Sequence, residues 1–107
     1  MSALKENTAK LEAHLARFRK DGILNRIAGQ DVAGNQGVFQ SRSPVDKSLI
    51  CQVARGDARD IDAAARAAAG AFPAWRDMPA RERRAILLRV AEGIEARAEE
   101  IALCECW

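Results

Sequence analysis

Alanine supplies 22 of the 52 apolar residues in this 107-residue chain, so only 30 larger side chains can bury much surface. That share constrains the fold more than any motif does. Ordering a residue costs backbone and side-chain entropy, and burial of large aliphatic and aromatic groups is the main term that offsets it. With so few of them, the chain reads as one small domain or as a piece of a larger one. A free-standing globule of this composition would have a thin core.

Several classes fall away at once. No run approaches the ~20 apolar residues of a membrane span, and the first thirty residues lack the apolar core of an export signal. Three cysteines make no paired framework, which points to a reducing, cytoplasmic setting. The net charge of +2 comes from 17 basic and 15 acidic residues mixed along the chain. A nucleic-acid binder would gather its basic residues on one face, so neither nucleic acid nor membrane is an expected partner.

The chain divides into an N-terminal amphipathic helix (1–22) and a mixed segment (23–107). In the first, Leu4, Leu11, Leu15 and Phe18 fall on one helical stripe. Ser2 is placed to cap it, and Gly22 to end it. The stripe is narrow, so this helix is expected to dock on another element. Residues 23–56 are punctuated by glycine and predict strands near Leu24–Ala28, Val38–Arg42 and Ser48–Ala54, joined as a small β-meander. Pro44 and Asp46 mark a turn between the last two, with Asp46 able to bond its own backbone.

Residues 57–107 read as helical. Asp57 can cap a helix whose seam is Ile61, Ala65, Ala68, Phe72 and Trp75. Pro79 suits the first position of the next helix, whose apolar face is Ile86, Leu87, Val90, Ala91 and Ile94. Gly93 weakens its interior, and a break is expected near 95–98. A last helix carries Ile101, Ala102 and Glu105. It runs to Trp107 without a cap or polar tail, the pattern expected of a cut chain.

No active site is visible from residue chemistry alone. Cys104 and Cys106 are two apart, which on a helix aims them about 200° from each other. A zinc site needs three or four ligands, and the single histidine, His14, lies far off in sequence. Cys51 alternates inward on a strand and reads as core. The glycines between 29 and 37 form neither a dinucleotide fingerprint nor a phosphate loop. Asp57, Asp60 and Asp62 could be drawn as a cation cluster, but the start of a helix already explains them. Arg81, Arg83 and Arg84 read as a solvated face.

One stretch resembles a known family. SPVDKSLICQVARG at 43–56 is similar to the opening of aldehyde dehydrogenases, and DIDAAARAAAGAF at 60–72 followed by PAW at 73–75 is similar to their next helix. ARERRAILL at 80–88, VAEGIE at 90–95 and EEIALCE at 99–105 continue the likeness in the same order, and upstream IAGQDV at 27–32 resembles a hairpin of the family. Each motif alone is weak; in register over some eighty residues they are specific. Ser43 replaces the family's usual asparagine. Lys47 replaces a turn glycine, which implies a different turn geometry. The N-terminal helix and the ending most resemble 5-carboxymethyl-2-hydroxymuconate semialdehyde dehydrogenases.

The resemblance implies an α/β fold: the N-terminal part of a coenzyme-binding, Rossmann-like domain, with a helix, a small β-meander and two or three further helices. It implies an enzyme that oxidises an aldehyde with NAD or NADP through a cysteine thiohemiacetal, assembled as a homo-oligomer. The family's catalytic, cofactor-binding and metal motifs match no position here, so no site residue is carried over. Cys51, Cys104 and Cys106 are not its nucleophile. Its monovalent-cation site draws on backbone oxygens near Ser41 and Arg42, with a carboxylate beyond Trp107. The chain alone is therefore expected to be inactive and to bind no cofactor. A stand-alone α+β interaction module is the alternative reading.

Overall fold

The computed structural model describes residues 2–106. Eight elements follow one another: α1 (Ala3–Asp21), β1 (Asn25–Ile27), β2 (Gln30–Val32), β3 (Val38–Arg42), β4 (Leu49–Ala54), α2 (Ala58–Asp77), α3 (Ala80–Ala96) and α4 (Ala98–Glu105). This is the mixed helix and small-sheet arrangement that the resemblance implies. The ending at Trp107 lies outside the described residues.

The caps explain where the helices begin and end. The Ser2 hydroxyl accepts from the Lys5 amide at 3.4 Å, and Gly22 closes α1 with φ +70°. Gly22 is needed for a second reason: a Cβ there would lie 2.9 Å from the Gln52 carbonyl oxygen. The helix can therefore turn directly into β4, where Ile23 N–H donates to Gln52 O at 2.8 Å and Ala54 N–H to Ile23 O at 2.7 Å. Pro79 is the residue before α3, not its first helical position; its carbonyl accepts from Glu82 and Arg83. The expected break falls at Arg97, between α3 and α4.

The strands do not form a meander. They make two separate antiparallel pairs, β1 with β2 and β3 with β4. The first pair turns through Ala28 and Gly29, both at positive φ (52° and 75°), which matches the right-handed twist of the strands. Between the pairs, Gln36 N–H donates to Arg55 O and Arg55 N–H to Gly37 O, so the intervening loop folds against the end of β4. Gly34 lies so close that a Cβ would meet Arg55 O at 2.1 Å. That approach diverts the chain and keeps β2 from pairing with β3.

In the second pair, the register slips between Ser41 and Arg42, leaving Ile50 unpaired in a bulge. Strict alternation along β4 fails with it: Cys51 and Ala54 are buried, whereas Leu49 is exposed. The turn holds the expected Asp46 contact, its carboxylate accepting from Ser48 N–H at 2.9 Å. Lys47, however, has φ +63°, the left-handed conformation that glycine adopts freely. The lysine thus takes a glycine-like backbone conformation, and no different turn geometry is needed.

Among the described residues, the buried apolar side chains are Leu11, Leu15, Cys51 and Ala54, with Ser43 and Asp60 the buried polar ones. The core therefore sits between α1 and β4. On α1 the docking partner is the same chain: β4 and α4 both pack against it. Lys10 Nζ lies 2.8 Å from Glu99, and Arg17 pairs with Glu100. α2 touches the remainder chiefly at β1, and α3 chiefly at α4. The radius of gyration is 17.7 Å, against about 13 Å for a compact chain of this length.

Candidate functional site

The densest polar arrangement lies where the 34–37 loop meets the start of α2. Asp57 caps the helix, its carboxylate accepting from Arg59 N–H at 2.9 Å and Asp60 N–H at 3.2 Å. Asp60 returns the contact, accepting from Asp57 N–H at 2.9 Å, which completes a capping box. Asp60 also accepts from Asn35, once from its backbone N–H at 3.0 Å and once from its side-chain amide at 2.9 Å. The Arg59 guanidinium beside Asp57, assisted by the helix-start N–H groups and Asn35, holds the Asp57 carboxyl down at about 2.

This arrangement joins a loop to a helix. The Asp57 and Asp60 oxygens are taken by N–H donors, and Asp62 pairs with Arg66 at 2.6 Å. No group of three or more His, Cys, Asp or Glu side chains among the described residues is placed to hold a metal ion.

The three cysteines stand apart in role. Cys51 is buried in β4 opposite Ser41, and burial pushes its thiol up, away from the thiolate that a nucleophile requires. Cys104 is half-buried in α4, and Cys106 is the exposed residue that follows it. His14 lies on α1, where its charge helps to lower the Glu99 and Glu100 carboxyls, whose main partners are Lys10 and Arg97. Ser41 and Arg42 are consecutive in β3 on either side of the register slip, with Arg42 Nη1 bonded to Lys47 O at 3.1 Å.

The basic residues at the start of α3 hold one contact that the sequence does not announce. Arg83 Nη1 donates to Arg76 O at 2.8 Å and Met78 O at 2.9 Å, satisfying carbonyls left open at the end of α2. No spacing signal marks it, because the partners are backbone atoms across a turn. Arg83 is thus a helix-end clamp, while Arg81, Arg84 and Arg89 are exposed.

The largest feature without a partner is apolar. Ile61 and Phe72 on α2 are 71% and 55% exposed, and Leu87, Val90 and Ile94 on α3 are 53–58% exposed. These are the seam and the face that the helical periodicity picks out. Large apolar groups aligned on helices normally face a neighbour, and contiguous exposed patches mark interfaces. A groove of about 330 Å³, lined in part by Leu4, Leu11, Val45, Leu103 and Cys106, runs along α1 and α4. Among the described residues that line it, none is charged.

Comparison with known proteins identifies the family. Residues 32–107 match the model of the aldehyde dehydrogenase family. The chain is 39% identical over 89 residues to an aldehyde dehydrogenase of Vibrio cholerae, covering 82% of this chain and 18% of that protein. It is 43% identical over 75 residues to a vanillin dehydrogenase of Pseudomonas fluorescens, covering 69% of this chain and 16% of that protein. The crystal structure of HpcC from Thermus thermophilus superposes with a TM-score of 0.86 at 38% identity, over 92% of this chain and 19% of that one. The chain thus spans under a fifth of the length of the relatives it matches.

Proposed function

The chain belongs to the aldehyde dehydrogenase family, and from that premise we propose that it is the N-terminal part of the coenzyme-binding domain of an NAD(P)-dependent dehydrogenase. Residues 1–22 would form its leading helix and 23–107 the incomplete domain. The intact enzyme would be a cytoplasmic homo-oligomer that oxidises an aldehyde to a carboxylate.

The observation that carries this reading is the exposed face of α2 and α3 on a chain that matches under a fifth of its relatives. Such a face makes sense when the rest of a dehydrogenase lies over it. Family chemistry adds the remainder: a cysteine thiolate attacks the aldehyde, and NAD(P)⁺ when bound accepts the hydride. Water, activated by a glutamate, then releases the acid. None of the groups responsible is matched in this chain, and Cys51 is buried with its thiol pushed up. The chain by itself is therefore inactive and holds no cofactor.

For the substrate we propose a semialdehyde of aromatic catabolism. One observation supports it: the likeness to a protein named a vanillin dehydrogenase.

The test uses the 107-residue polypeptide itself. It should show no aldehyde-dependent reduction of NAD⁺ or NADP⁺, a broad thermal transition, and strong binding of the apolar dye ANS. Reduction of either cofactor, or a sharply melting rigid monomer without ANS binding, would overturn the reading. A folded dimer would favour the interaction module instead.

A further inference from the structure

We draw no further inference here: the strongest candidate, the unpartnered apolar face that α2 and α3 present through Ile61, Phe72, Leu87, Val90 and Ile94, already has its occupant in the proposal that the rest of a dehydrogenase covers it, and nothing else in the structure shows what covers it.

Discussion

Asn35 donates both its backbone N–H and its side-chain amide to the single carboxylate of Asp60, at 3.0 and 2.9 Å. Asp60 is 8% exposed and also receives the Asp57 amide. One side chain therefore fixes the 34–37 loop and the first turn of α2 together. Because the buried acceptor is a charged carboxylate, these bonds are stronger than neutral ones.

Asp60→Ala should loosen both segments by about 2 kcal/mol, a roughly thirty-fold rise in amide exchange of residues 34–37 and of the first turn of α2. Site-resolved hydrogen exchange measures it. Unchanged protection at Asn35 would show that the loop is held by its contacts with Arg55 alone.

The pH response of the same helix start follows from Asp57. Its carboxyl is depressed from 3.8 to about 2 in the folded chain. A depressed acid contributes stability above its unfolded pKa and loses it as pH falls through the folded one. The cap should hold above about pH 4 and fail progressively toward pH 2. Subtracting the acid titration of Asp57→Asn, followed by circular dichroism at 222 nm, isolates that step. Identical titration curves for the two chains would refute it.

Lys47 at φ +63° carries a steric cost that glycine lacks. Lys47→Gly should stabilise the β3–β4 turn by about 1 kcal/mol, whereas Lys47→Ala should not. Amide exchange across the strand pair tells them apart, because alanine keeps the Cβ that causes the strain. Equal effects would mean that the lysine side chain, not its backbone, matters.

Position on the molecule decides the cost of losing an aliphatic group. Leu15→Ala removes a side chain 4% exposed between α1 and β4 and should cost about 3 kcal/mol. Leu87→Lys replaces one that is 58% exposed; in the isolated polypeptide it should change stability by no more than about 0.5 kcal/mol while lowering ANS fluorescence. Urea unfolding and dye binding on both variants give the comparison. A large loss of stability in Leu87→Lys would show that α3 already has a partner within the chain.

Much of this was readable before any coordinates. Local chemistry marks Ser2 and Asp57 as caps and the break near Arg97, since those signals lie within one or two turns of helix. Periodicity picks out Leu11 and Leu15 as well as the α2 and α3 faces. It does not say which of them find cover, because a stripe carries the same pattern whether or not its neighbour is present. Periodicity misses β2, since Gln30-Asp31-Val32 is too short and too polar to alternate; the family resemblance marks the hairpin at 27–32, and β1 and β2 form it. The meander fails at Gly34, whose approach to Arg55 is a tertiary contact. For the candidate site, Asp57 and Asp60 stand out as helix-start residues, but Asn35 as their partner depends on a loop 22 and 25 residues upstream.

The junction of α1 with α4 has a consequence for synthesis. Lys10 and Glu99 are 89 residues apart in sequence, so α1 leaves the ribosome well before the helix it pairs with. At about 5–20 residues per second, α1 waits roughly 4–18 s for its last neighbour. During that interval Leu11 and Leu15 have at most one wall, supplied when β4 emerges. A nascent chain of this order leaves its first helix open to chaperones until α4 has emerged.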